Sequence, residues 1–168
     1  MKIERLPVLA ATALLLVQSA QADGYAVMGT VDAVIGPEPV QLWVPHDLAE
    51  DDAHARKIGF GVTATYTVVA MSGPAGTDPS FPRLSLTFMR PGPDVVALEL
   101  TYEPEFGAAF VADAETSGFL MENVSVDGDL VRFAFSGTVV ELDTATYEPA
   151  ENATTIDISG VGQVTFLD

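Results

Sequence analysis

Only two histidines occur in the 168-residue chain, His46 and His54, and between them lie four acids, Asp47, Glu50, Asp51 and Asp52. Imidazole and carboxylate are the side chains that hold a divalent cation, so this is the first place where chemistry could reside. On a helix Glu50 and His54 would stand one turn apart on the same side, and with Asp47 or His46 they could hold zinc or copper, the ions that imidazole suits best. Asp47, Glu50, Asp51 and Asp52 could alternatively offer oxygens to calcium, although the twelve-residue calcium loop with its glycine is missing. Asp127-Gly128-Asp129 could add oxygens but reads first as a hairpin turn. The spacing matches no strong metal motif, and a solvated polar face is the ordinary reading, so the sequence requires no cofactor.

Hydroxyls form a second pattern. Thr63, Thr65 and Thr67 alternate with apolar residues, and Ser85, Thr87 and Thr101 occupy the same parity in the next two segments. In extended chain such residues share one face, giving a regular hydroxyl surface suited to sugar or ice contact. A third candidate is apolar: Phe106 and Phe110 lie in a stretch without clean periodicity and could form a patch for a partner protein.

Acyl-transfer chemistry finds little support. No Gly-x-Ser-x-Gly elbow is present, and Ser72, Ser136 and Ser159 each precede a glycine with no second supporting feature. Carboxylate pairs are too numerous to carry information about glycoside hydrolysis. Gly73 to Gly76 has no lysine and precedes a strand, whereas a phosphate loop opens a helix.

The elements that must position these residues are mostly strands. Residues 60–71 put Phe60, Val62, Ala64, Tyr66, Val68 and Ala70 on one face and the threonines on the other. Similar alternation marks 25–35, with Val27, Gly29, Val31, Ala33 and Ile35 inward; 83–90, with Leu84, Leu86 and Phe88; and 95–102, with Val96, Leu98 and Leu100. Further strands are expected over 40–44, 119–126, 130–142 and the last stretch from Ile156 to Phe166, while 103–118 reads as an edge strand or a folded loop. Gly137 predicts a bulge or the close approach of another backbone, and Gly160 and Gly162 a bend.

One short surface helix is predicted between Pro45 and Gly59. Asp47 and Glu50 have capping-box spacing, and Arg56 and Lys57 fall where the helix dipole favours cations. Strands with one dry face and no βαβ spacing pack as an antiparallel β-sandwich, here of about eight strands; a closed barrel is the alternative.

Lys2 and Arg5, an apolar run from Leu6 to Val17 and Ala20-Gln21-Ala22 have the form of a secretory signal peptide cut after Ala22, leaving residues 23–168 as a single domain. No later segment is long and apolar enough to span a bilayer as a helix. The remaining chain has 5 Lys and Arg against 23 Asp and Glu, a net charge of −18. That field repels nucleic acid. The chain has no cysteine, so disulfides, zinc–thiolate sites and a cysteine nucleophile are excluded. The expectation is a periplasmic or secreted, non-catalytic binding or structural protein of a bacterial envelope, with an unidentified protein or small ligand as its partner. A metal-dependent or carboxylate-based hydrolase of an exported polymer is the alternative.

Overall fold

The computed structural model describes residues 24–113 and 118–167; the segment read as a signal peptide lies outside them. The described chain is all-β, without a helix. Its strands are β1 (Tyr25–Ile35), β2 (Glu38–Asp47), β3 (Asp52–Ala53), β4 (Ala55–Phe60), β5 (Thr63–Ser72) and β6 (Ser80–Pro91). They continue with β7 (Val96–Glu103), β8 (Phe110–Asp113), β9 (Leu120–Asp127), β10 (Leu130–Asp143), β11 (Glu148–Pro149) and β12 (Thr155–Thr165). All pair antiparallel, in the order β3-β2-β1-β12-β10-β8-β7-β6-β5-β4, with β9 and β11 also joined to β10. The ladder folds over on itself in a sandwich-like arrangement, and its two halves touch again at a single β2–β5 pair, Trp43 and Met71.

One core lies between the halves. Val68, Leu84, Leu86, Phe88 and Leu100 come from one side and Val31, Leu42, Val44, Phe133, Phe135 and Val164 from the other. Each large apolar side chain fully removed from water contributes about 1.5–3 kcal/mol. Aromatic rings link the halves: Tyr66 stacks on Phe88 at 5.0 Å and meets Phe166 edge-on at 5.2 Å, and Phe88 lies 5.8 Å from Phe133. Gly160 and Gly162 face inward on β12, and the rings of Phe135 and Phe133 on β10 lie over them; a Cβ on Gly162 would stand 2.3 Å from the Phe133 ring. Gly137 does receive another backbone, since a Cβ there would lie 3.2 Å from Phe119 Cα.

Several expectations are corrected. The segment read as a helix is the end of β2, a turn, β3 and β4. The Asp47 signature is used, but by a turn: its Oδ1 accepts from the backbone N–H of Ala49 at 2.9 Å and of Glu50 at 3.2 Å. An aspartate that satisfies amides two and three residues on serves a turn as well as a helix start, and with Leu48 and Ile58 as its main apolar residues the segment has no face to bury as a helix. Residues 60–71 form two strands, because Gly61, at φ +63, and Val62 make a two-residue hairpin loop with Val62 at 86% exposure.

Two bulges also reverse parity. The one between Val27 and Gly29 buries Met28 and turns Val27 outward. The second, where Thr87 and Phe88 face Glu99 and Ala97, buries Ala97 and turns Val96 and Leu98 outward. Finally, β8 is not an edge strand: it pairs with β7 on one side and β10 on the other.

Candidate functional site

Antiparallel register fixes which residues share a row across a sheet, because directly paired residues point to the same face. On the outer face of β4–β7 one row reads Arg56, Thr67, Thr87, Glu99. The next reads Val69, Ser85, Thr101, and the next Met71, Arg83, Glu103. Beside Val69 the chain between β3 and β4 is tied down by two backbone bonds, His54 N–H to Pro45 carbonyl at 3.0 Å and Val69 N–H to His54 carbonyl at 2.8 Å. This raises a lip along the sheet, and between lip and strands lies a cleft of about 390 Å³. That volume falls in the range of ligand pockets, about 300–1,000 Å³.

Thr67, Ser85 and Thr101 form part of the cleft floor, Asp52, His54 and Arg56 the lip, and Arg83 and Glu103 the far end. Arg83 Nη2 donates to Glu103 Oε1 at 2.5 Å, and the guanidinium lies 5.9 Å from the centre of the Phe81 ring. Arg56 donates through Nη2 to Asp52 Oδ1 and through Nε to the Ala53 carbonyl at 3.0 Å. His54 Nδ1 lies 3.3 Å from the Asp52 carbonyl, where only the ring nitrogen can donate; in the neutral ring Nε2 is then an acceptor. Thr67 and Thr87 hydroxyls lie 3.4 Å apart. Partly exposed ion pairs contribute only about 0–1 kcal/mol to stability, so the main effect of these pairs is to hold donors and acceptors in fixed positions.

The structure therefore divides the predicted site residues. Of the hydroxyl stripe, Thr67, Ser85 and Thr101 enter the cleft, whereas Thr63, Thr65 and Thr87 lie on the same face beyond it. The four proposed metal ligands do not converge. His46 Nε2 lies 3.2 Å from Asp51 Oδ1, His54 faces the cleft, Glu50 is exposed, and Asp47 holds the turn. Among the described residues no group of three or more His, Asp or Glu side chains is placed to hold a metal ion. The phenylalanine patch does not form, because Phe110 is buried beside Tyr102 at 6.1 Å between centroids while Phe106 stands out at 90% exposure.

Arg56, Arg83 and Glu103 were not among the predicted site residues. The signal was present for two of them, since Arg83 and Glu103 share the parity of Ser85 and Thr101 and a hairpin pairs them. Arg56 belongs to a segment read as helix, and its row partner Thr67 becomes visible only once β4 is recognised as a strand.

Beyond the cleft, Trp43 is buried on the outer face, edge-on to Tyr25 at 6.4 Å. The Tyr25 hydroxyl is pushed above its ordinary range by burial, and then by the nearby Asp47 and Asp78 carboxylates. Burial likewise raises Tyr102. Among the described residues no helix is long and apolar enough to cross a membrane. No protein-family model matches this chain, and a search of curated protein sequences finds no match.

Proposed function

We propose that this is an exported, non-catalytic binding protein of a bacterial envelope that holds a small polar ligand in the cleft between the β3–β4 lip and the outer face of β5–β7. The observation that carries the reading is the convergence of three hydroxyls, one imidazole and two arginine–carboxylate pairs in one concave site. Such a set offers oriented donors and acceptors and contains no assembled metal ligand group. Export rests on the charged, apolar and small-residue sequence of residues 1–22.

The test has two parts. Expression of the full chain in a bacterium should yield, outside the cytoplasm, a product beginning at Asp23, read by mass spectrometry; a full-length cytoplasmic product would contradict export. In amide NMR spectra of that product, small molecules extracted from the envelope fraction should shift Val69, Ser85 and Thr101. Shifts confined to other surfaces, or none at all, would contradict the cleft as the binding site.

A further inference from the structure

Resting on that reading, we infer that the ligand of the cleft is a neutral saccharide, bound by its hydroxyl edges. A carboxylate or sulfate group only accepts, and an ammonium group only donates, whereas a sugar hydroxyl does both. The cleft presents both kinds side by side in each of its two ion pairs. Arg83 uses one N–H on Glu103, leaving other guanidinium N–H groups and the second carboxylate oxygen available, and Arg56 with Asp52 repeats the arrangement at the lip. The floor hydroxyls are themselves both donor and acceptor.

Charge supports the same class. Two arginines against two carboxylates leave those four side chains with no net charge, in a chain whose overall formal charge is −17. An incoming carboxylate or sulfate would face Asp52 and Glu103 at close range and the acidic field of the whole molecule at long range. A cation would meet both guanidinium groups. A neutral polyol avoids both penalties and can still receive charge-assisted hydrogen bonds, which are about twice as strong as neutral ones. No phenylalanine, tyrosine or tryptophan ring lines the cleft, so contact is made chiefly at the sugar's edge, and binding is expected in the millimolar range.

The experiment titrates the processed chain, followed by amide NMR, with maltose, cellobiose, lactose, mannobiose and chitobiose, with the hexasaccharides of the glucose and N-acetylglucosamine series, and with galacturonate and sulfate. At least one neutral sugar should saturate shifts of Val69, Ser85 and Thr101. A stronger response to a hexasaccharide than to its dimer identifies a polymer chain as the source, and equal responses a free sugar. Arg83→Ala should weaken that sugar about tenfold, the ratio corresponding to one hydrogen bond to a charged group, with the fold verified by its unchanged remote amide shifts. Glu103→Gln replaces the carboxylate oxygen left open to the sugar with an amide NH2 that only donates, and should weaken the same sugar by about threefold or more.

Saturation by galacturonate or sulfate without any neutral sugar overturns the saccharide inference and leaves the binding-protein reading standing. Silence from every probe overturns the inference as well. The envelope-extract spectra then decide separately whether the cleft binds anything.

Discussion

The two halves of the sandwich fill the same core by different means. In β5–β7 the inward positions carry their own bulk, with Tyr66, Val68, Leu84, Leu86, Phe88 and Leu100 standing side by side. In the opposite half, β12 brings Gly160 and Gly162 inward, and the volume is supplied by rings from the neighbouring strand, Phe135 and Phe133. Side-chain packing of the first kind leaves the outer face free to vary, and the cleft is built there. Ring-on-glycine packing places strand backbone at van der Waals distance from a ring and leaves no room for an added methyl group.

The largest test of this contrast removes bulk from each half. Phe133→Ala should cost about 3–5 kcal/mol, because it empties a space whose other wall is bare backbone, and Leu86→Ala about 2–5 kcal/mol, both read from urea unfolding midpoints. A Phe133→Ala cost below about 1 kcal/mol would show that the ring does not fill the space over Gly162.

A smaller effect sharpens the difference. Gly162→Ala drives a methyl group into the Phe133 ring and should cost about 1–3 kcal/mol, part of which Phe133→Leu in the same chain should return as a coupling of at least about 0.5 kcal/mol. Gly59→Ala, at a strand position with open space around the Cβ, should stay within about 0.5 kcal/mol of the parent. Equal costs at Gly162 and Gly59 would remove the distinction.

The smallest effect concerns the edge where the halves meet. Tyr25 binds its proton more tightly folded than unfolded, so the stability from this linkage is present below the ordinary tyrosine value of 10.0 and is lost as pH rises through the raised folded value. Thermal unfolding followed between pH 9 and about 11 should therefore show a steeper decline for the parent than for Tyr25→Phe. Parallel declines would mean that Tyr25 does not contribute.

Much of this architecture is legible in alternation alone. The dryness of Tyr66, Val68 and Ala70 opposite Thr67 identifies β5 and its buried face, and β1 has the bounds that its pattern predicts. Alternation fails where one inserted residue reverses parity, as at Met28 and Leu98, because a bulge depends on the partner strand and leaves no local mark. The false helix has a similar cause. Asp47 followed by Glu50 states that nearby amides need an acceptor, which is as true of a turn between strands as of a helix start. Of the site, sequence parity reveals the hydroxyl floor. The same parity carries Arg83 and Glu103, whereas the lip and the Arg56–Asp52 pair depend on the path of residues 52–56 and become visible only in three dimensions.

The pairing of β1 with β12 joins Gly29 to Val164, so the first strand of the sheet is completed by the last. A chain that emerges from its N-terminus presents β1 and β10 with open edges for as long as β12 is missing, and contacts of such sequence separation form slowly. Assembly is thus gated by delivery of β12. A chain truncated before Thr155 should expose two adhesive edges to other chains, and the yield of native protein should depend on how dilute, or how well shielded by chaperones, the unfinished chain is during that interval.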